Sequence, residues 1–312
     1  MNDYTSFKGV SSFDQSLITD ELVGGLVDWF DWCFLGIGGF FNVYIPTSGN
    51  YGGSQHVLRL TDDPYFSGGQ TWEGFRGNWV YETGISYSYQ PIQISGIYVN
   101  NSFQPLGNSY YINYPLGRVV FNNPIASNST VSLEYSYKFF NVYRGDAQWF
   151  RQLMTDSFRL DSPDFFQYGS GVWSVLRQER VELPALIVDA VPRRRISPYQ
   201  LGGGSWVHQD LHFYILAETS FDRNFLVDVV TLQQEKAINL LDRNGMNSAN
   251  AFPLDYKGVP QSGFLTYPAL MNQYGGHYMR FENMISQDIE SIAPGLYMAV
   301  VRATPCVLLS EI

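Results

Sequence analysis

The chain has few of the side chains that build cross-linked or metal-bound sites. Of its 312 residues, only two are cysteines and four are histidines, and charged residues make up 15%. Two cysteines make no disulfide framework, and the spacing of Cys33 and Cys306 fits no metal-binding motif. We interpret both as buried thiols, and we expect neither a metal ion nor a cofactor.

Positive charge is also scarce. Nineteen Lys and Arg stand against 29 Asp and Glu, which gives a formal net charge of −10. A field of that sign repels phosphate and argues against a general nucleic-acid-binding protein. It remains compatible with a surface past which DNA slides without sticking.

Targeting and membrane signals are missing from the sequence. The opening residues show no basic region followed by an apolar run, so we expect no secretory signal. The most apolar stretch, 22–41, contains Asp28, Asp31 and five glycines. Two carboxylates and that much glycine argue against a membrane span. We therefore expect no membrane association.

Motifs of common enzyme classes are absent too. The sequence contains no Gly-x-Ser-x-Gly elbow, no His-Glu-x-x-His pair and no calcium-binding loop. Asp62 with Asp63, and Asp161 with Asp164, offer close carboxylates of the kind that a glycosidase uses. Acidic residues beside proline in loops are usually turn formers, however. We expect no enzyme, and a hydrolase that uses these aspartates is the third hypothesis.

Aromatic residues, by contrast, are abundant at 16%, with 22 Tyr and 22 Phe. Such a surplus is typical of β-sheets and large contact surfaces. Segment 1–41 nevertheless predicts a helix, because acidic residues begin it and glycines end it. Its apolar residues recur at helical spacing, which favours a core face over a docking face. They are Leu22, Leu26, Trp29, Phe30 and Cys33.

Segment 42–145 predicts a β-rich domain, either a small antiparallel sheet or a sandwich. Residues 42–70 have little periodicity and predict long loops. Residues 94–106 predict a strand, an Asn-Asn turn and a second strand, and residues 110–125 predict two more short strands. Apolar and polar residues alternate over 131–139, which indicates one half-buried strand.

The C-terminal part predicts a helical linker over 146–182 and an α+β domain over 183–312. Strands are expected at 183–191, 206–218 and 295–309. Between them, a long helix over 222–241, capped by Ser220 or Asp222 and ended by Gly245, would lie on one sheet face. The predicted fold class is therefore α+β, with an antiparallel β-rich N-terminal region and a C-terminal sheet carrying one long helix.

Three arginines and three glycines are concentrated in 193–204. A phosphate-binding loop is excluded, because the glycines at 202–204 precede a strand and not a helix. His208 and His212 are four residues apart, which on a strand is about 13 Å, so they cannot share a metal ion. We interpret 193–195 as a basic loop. Its hypothesised partner is acidic, namely another copy of the chain or a neighbouring protein, and the alternatives are a solvated loop or DNA contact.

Residues 184–242 resemble neck or head–tail connector proteins of tailed bacteriophages, of the tail-terminator kind. The shared pattern is a strand, a glycine-bearing loop, a long strand ending in ILAE, and a helix with R-x-x-L-V-D. Segment 94–125 is similar to β-rich portions of phage virion proteins. The resemblance implies a non-enzymatic virion structural protein, assembled in the host cytoplasm, in a terminator, stopper or adaptor role.

It further implies a homo-oligomeric ring, six- or twelve-fold, around a channel that DNA crosses without specific binding. The other partners would be phage neck, portal or tail proteins. A ring subunit needs two different faces that meet head to tail. The predicted interface residues are Arg193, Arg194, Arg195, Asp222, Arg223, Asp228, Glu235 and Lys236. The alternative function is a tail fibre or baseplate component that binds host glycan through the aromatic region 72–143.

Overall fold

A computed structural model describes residues 7, 9–42, 56–63, 65–85, 92–147, 150, 181–200, 203–293 and 295–309. Most of the predicted linker 146–182, including Asp161 and Asp164, lies outside these residues. Among the described residues, no helix combines the length and the apolar character needed to cross a membrane.

Helix α1, Ile18–Gly36, confirms the helix predicted near the N terminus. Asp20 and Glu21 occupy its first turn, where negative charge is favourable next to the positive end of the helix dipole. The predicted apolar face is buried against the C-terminal sheet, with Leu22 and Leu26 fully enclosed. The interpretation of this face as core is therefore confirmed.

Two four-stranded antiparallel sheets form a sandwich in the β-rich region. One sheet has the order β2-β9-β5-β6 and the other β3-β4-β8-β7, while β1 pairs with β10. The sheets enclose one core of aromatic and aliphatic side chains, which includes Trp72, Trp79, Ile97, Ile112 and Tyr135. The strands are β1 Phe40–Asn42, β2 His56–Val57, β3 Arg59–Leu60, β4 Thr71–Glu73, β5 Gly96–Val99, β6 Ser102–Pro105, β7 Tyr110–Asn113, β8 Arg118–Phe121, β9 Val131–Leu133 and β10 Ser136–Lys138.

The β5–β6 hairpin confirms the predicted Asn-Asn turn. Asn100 and Asn101 have φ values of 50° and 65°. Both central residues of a type I′ turn need positive φ, and asparagine tolerates that conformation better than most residues. The turn type follows from these two residues alone.

Two predictions in this region are wrong. Strands β2 and β3 lie in 56–60, where only loops were predicted. Over 131–139, where one half-buried strand was expected, the chain forms β9 and β10. Strand β9 belongs to the sheet β2-β9-β5-β6, whereas β10 pairs with β1. Ser132 and Ser136 are only 5% and 0% exposed, because the chain crosses between neighbouring sheets and both of its faces are covered.

The C-terminal sheet has eight strands, and it includes a strand from the end of the β-rich region. Its order is β11-β12-β13-β18-β15-β14, with β17 pairing along the C-terminal half of β13 and β16 flanking β17. Only the β11–β12 pair is parallel. The strands are β11 Asn141–Arg144, β12 Ala185–Gln200, β13 Gly203–Ala217, β14 Ala237–Leu241, β15 Gly275–Arg280, β16 Ile285–Ala293, β17 Leu296–Ala303 and β18 Cys306–Leu309.

Both faces of the central strands carry apolar residues. Along β12, Leu186 and Val188 face α1 and α2, whereas Ala185 and Ile187 belong to a smaller cluster that includes Phe150. The helices of this part are α2 Ser220–Thr231, α3 Arg243–Ser248 and α4 Tyr267–Tyr274. The predicted α+β class is confirmed. The predicted segment boundaries stay predictions.

The long helix predicted over 222–241 ends at Thr231. Its N-cap is Thr219, whose hydroxyl accepts a hydrogen bond from the Asp222 N–H at 3.1 Å. Residues 237–241 form β14, where burial alternates with the period of a strand. Gly245 does not end a helix, because it lies within α3. The helix predicted over 222–241 thus combines residues of two elements, α2 and β14.

The last predicted strand, 295–309, is two strands. Thr304 and Pro305 separate β17 from β18. Both strands pair with β13, one along each half of it. The segment therefore contributes two interior strands to the sheet, where one strand was predicted.

Candidate functional site

The predicted basic loop at 193–195 is wrong, because these residues belong to β12 and pair with β13. Two extra residues in β12 form a bulge between Ala190 and Arg194. Strand β11 pairs only with Ala185 to Val188, and no other described strand follows the outer edge of β12 beyond that point. An edge strand tolerates charges, bulges and proline, which explains how this sequence forms a strand.

A buried glutamine fills the bulge. Gln209 is 2% exposed, and its amide nitrogen donates to the Val191 carbonyl and, at 3.1 Å, to the Asp210 carbonyl. Its amide oxygen accepts from Arg194 Nε at 2.8 Å. Arg194 also donates to the Thr19 hydroxyl at the start of α1. Of the three arginines, Arg194 is therefore the one whose exposed side chain is anchored by hydrogen bonds to Gln209 and Thr19.

Arg193 and Arg195 extend towards solvent. Arg193 Nε lies 3.4 Å from Asp210 Oδ2, but its side chain is 84% exposed, so this pair contributes at most about 1 kcal/mol. Among the described residues, Arg195 has no hydrogen-bond or ion-pair partner. Ile196 and Tyr199, which are 59% and 44% exposed, follow on the same edge. We call residues 193–199 the basic edge.

Two predicted interface residues at the start of α2 have structural contacts of their own. Asp222 is part of the helix cap, since its carboxylate accepts a hydrogen bond from the Thr219 hydroxyl at 2.6 Å. The Arg223 guanidinium lies over the Tyr297 ring at 5.8 Å. These contacts fix the N-terminal end of α2 on β17.

The other predicted residues, Asp228, Glu235 and Lys236, are exposed on α2 and the turn after it. Phe221 and Leu232 are 76% and 78% exposed and lie on the same side of the helix as Asp228, at spacings of seven and four residues. We call Phe221, Asp228 and Leu232 the outer face of α2. This face combines exposed apolar area with a carboxylate.

A second site is a pocket of about 200 Å³ between α1, the β-rich region and the segment 241–270. Trp32, Tyr81, Phe252 and Tyr267 line it together with three carboxylates. Two of these carboxylates have cationic partners: Asp28 lies 2.7 Å from Arg243, and Asp31 lies 2.5 Å from Lys138. The third is Glu82.

Glu82 is the most enclosed of the three. Its side chain is 7% exposed, and Oε2 has no hydrogen-bond partner. Burial raises the pKa of Glu82 to about 7, against the opposing pull of Lys138. Burial also raises the pKa of Asp28 to about 6, with Arg243 opposing it. No local pattern in the sequence predicts this pocket, because its residues come from distant segments.

Asp62 and Asp63, the two described aspartates of the hydrolase hypothesis, do not form an open pair of carboxylates. Asp63 is buried and lies 2.9 Å from Arg118, which also contacts Glu73 at 3.1 Å. Asp62 is exposed. The Asp63 carboxylate therefore belongs to a buried ion cluster inside the sandwich, and Asp161 and Asp164 lie outside the described residues.

A third site brings together side chains that are remote in sequence. Cys306 Sγ lies 3.8 Å from His208 Nε2, and Glu282 Oε2 lies 3.8 Å from His208 Nδ1. They border a surface depression of about 300 Å³, together with Trp206, Tyr278 and Arg280. His212 is not part of this group, since its Nδ1 lies 3.2 Å from the Tyr214 hydroxyl. Of the two cysteines interpreted as buried, Cys306 is buried and Cys33 is partly exposed.

The aromatic surplus of 72–143 mostly fills the sandwich core. Trp72, Trp79, Tyr110, Tyr114 and Tyr135 are each at most 3% exposed. Phe75 and Phe103 are about half exposed, at 48% and 47%. Among the described rings of this region, few are therefore available as a platform for glycan.

Comparison of the chain with protein-family models, with curated proteins and with solved structures finds no match in any of the three. The resemblance to phage connector proteins therefore depends on the residues quoted for it above.

Proposed function

We propose that the chain is a structural protein of a tailed-phage particle, whose copies assemble into a ring at the head–tail junction. In this proposal the basic edge of one copy meets a more acidic surface of the next, and DNA crosses the channel without specific binding. Other neck, portal or tail proteins would adjoin the ring. The observation that carries the proposal is the basic edge itself.

Charge segregation supports a contact between copies. Arg193 and Arg195 extend from a chain whose net charge is −10. Another copy of the chain therefore offers these two arginines a surface with an excess of negative charge. The outer face of α2 offers a carboxylate and two exposed apolar side chains as the complementary partner. Two unlike patches of this kind suit a head-to-tail interface, which closes into a ring when the rotation permits.

The prolines of β12 indicate how such a contact forms. Pro192 and Pro198 have no N–H to offer to another strand. Proline is found in edge strands where that position faces away from the sheet. We therefore expect side chains to form the contact, with Arg193, Arg195 and Ile196 as contributors, and not the addition of a strand.

Reversing the charges of the basic edge tests this proposal. We expect Arg193→Glu combined with Arg195→Glu to dissociate the oligomer at concentrations where the wild-type chain assembles, because like charges then face each other. Native mass spectrometry or light scattering measures the stoichiometry, and a six- or twelve-fold species is the expected wild-type result. Circular dichroism checks that the variant is folded.

The matched control carries the same change in net charge elsewhere. Arg59 and Lys257 are exposed and lie outside the C-terminal sheet. The double variant Arg59→Glu with Lys257→Glu should assemble as the wild type does. A monomeric wild-type chain, or a ring that is unchanged by reversal of Arg193 and Arg195, would contradict the proposal.

A further inference from the structure

We propose that His208, Glu282 and Cys306 bind a divalent transition-metal ion, with zinc as the ion that best fits the ligand set. The three residues lie on the sheet face opposite α1 and α2. This inference is independent of ring assembly, because it concerns a site within one copy of the chain.

The separations of the ligand atoms suit a tetrahedral site. With Zn–S and Zn–N bonds of about 2.3 and 2.0 Å, tetrahedral angles place sulfur and nitrogen about 3.5 Å apart. The distance from Cys306 Sγ to His208 Nε2 is 3.8 Å. One ligand atom from each of the three residues can be chosen so that all lie within 4.8 Å of one another. Ion binding would therefore shorten the Cys306 Sγ to His208 Nε2 distance by about 0.3 Å and the longest of the three separations by up to about 1.3 Å.

The sheet holds the ligands in place. His208 in β13 is the direct cross-strand partner of Cys306 in β18, so both side chains lie on the same face, with β-carbons about 5 Å apart. Cys306 is also the partner of Arg280 in β15, and Glu282 follows two residues later. The Glu282 carbonyl accepts a hydrogen bond from Thr304 N–H at 3.0 Å. Two adjacent strands thus fix His208 and Cys306, and the segment directly after β15, which is hydrogen-bonded to Thr304, holds Glu282.

Arg280 orients the carboxylate. Its guanidinium donates through Nε, at 3.1 Å, and through Nη2 to Glu282 Oε1. The other carboxylate oxygen, Oε2, is the one that lies near His208. Outer partners of this kind commonly orient metal ligands. The positive charge of Arg280 opposes cation binding, and this opposition is reduced because Arg280 is already paired with Glu282.

The chemistry of the ligands selects the ion. Thiolate and imidazole favour zinc and related transition metals, whereas calcium and magnesium need oxygen ligands. On binding, the Cys306 thiol loses its proton to solvent and its sulfur bonds to the metal. Three protein ligands leave a fourth position, which faces the depression next to Trp206 and Tyr278 and would accept water or a small ligand.

The order Cys–His–Glu also resembles an activated nucleophile, but two observations favour the metal. The His208 nitrogen and the Glu282 oxygen are 3.8 Å apart, which is too long for the hydrogen bond that orients a catalytic base. Cys306 is 4% exposed, so its sulfur is poorly placed to attack a substrate. A bond from Cys306 Sγ to a metal ion between the three side chains does not require a substrate to reach the sulfur.

The test uses the untagged full-length chain, stripped of metal and titrated with Zn²⁺ by calorimetry and with Co²⁺ by absorption spectroscopy. We expect one tightly bound ion per chain, and with cobalt a thiolate-to-metal charge-transfer band. Cys306→Ser and His208→Ala should each lower the affinity at least tenfold, and Cys306→Ser should abolish the band. Glu282→Gln should also weaken binding. Because this change is more conservative, it tests the site if either of the other two variants misfolds.

The controls are Cys33→Ser and His212→Ala, which change the same residue types elsewhere in the chain. Both should bind metal as the wild type does. The proposal is overturned if no stoichiometric binding occurs, or if the charge-transfer band survives Cys306→Ser. Rapid alkylation of Cys306 by iodoacetamide in a chain that binds no metal would overturn it in favour of a nucleophilic cysteine.

Discussion

Replacing Arg118 with methionine should lower the free energy of unfolding by about 3–5 kcal/mol, the usual cost of removing one partner from a buried ion cluster. Arg118 is 5% exposed, and its guanidinium contacts Asp63 at 2.9 Å and Glu73 at 3.1 Å. Without it, two buried carboxylates repel each other in a sandwich interior that gives them little access to water. Urea-induced unfolding measures the loss.

Two further variants separate this charge effect from a general loss of packing. Arg59 lies in the same sheet but is exposed, so Arg59→Met should change stability by less than about 0.5 kcal/mol. Adding Asp63→Asn and Glu73→Gln to Arg118→Met should restore much of the lost stability, because no uncompensated charge remains. A loss below about 1 kcal/mol for Arg118→Met would contradict the assignment of this cluster as a structural element.

Local signals in the sequence predicted those elements whose causes are local. Helix α1 follows from acidic residues at its start, apolar residues at helical spacing and glycines at its end. The β5–β6 hairpin follows from two asparagines that accept positive φ. Each of these elements is specified within about twenty residues, so periodicity and turn chemistry are sufficient to find it.

The errors arose where tertiary pairing decided the outcome. Ile238 and Leu240 continue the apolar spacing of α2, but they form β14 because β15 pairs with them. Three arginines followed by three glycines predict a loop at 193–195, yet an edge position makes that sequence acceptable in a strand. In both segments the competing signal was a neighbour that is distant in the sequence.

The candidate sites show the same limit. The exposure of Arg193 and Arg195 could be expected from their density in an acidic chain, although the hydrogen bond from Arg194 to Gln209 depends on a bulge. The group of His208, Glu282 and Cys306 has no sequence signature, because the strand register of β13, β15 and β18 assembles it. Sequence spacing relates His208 to His212, whereas the neighbour of His208 in this group is Cys306, its partner on the adjacent strand.

Glu82→Gln should stabilise the chain at pH 8 by up to about 3 kcal/mol relative to the wild type. The pKa of Glu82 rises from 4.5 in a free side chain to about 7 in the folded chain, mainly because the carboxyl is buried. Between these two pH values the folded state retains a proton that the unfolded state has released. The contribution of Glu82 is therefore least unfavourable below pH 4.5, and stability is lost as pH rises towards 7.

The size of this effect follows from the shift itself, since each pKa unit corresponds to about 1.4 kcal/mol. Glutamine carries no charge to desolvate, so the variant should lack the wild-type decline between pH 4.5 and 7. The two chains should have similar stability at pH 4.5 and diverge above it.

Unfolding free energies from urea titrations at several pH values between 4.5 and 8 measure this divergence. Glu218→Gln, which neutralises an exposed carboxylate, is the matched control and should give a curve parallel to that of the wild type. If Glu82→Gln and Glu218→Gln behaved alike at every pH, the Glu82 carboxyl would be ionised and solvated in the folded chain. The pocket beside α1 would then be open to water, whereas a divergence confined to Glu82→Gln identifies a carboxyl whose ionisation is opposed by its burial.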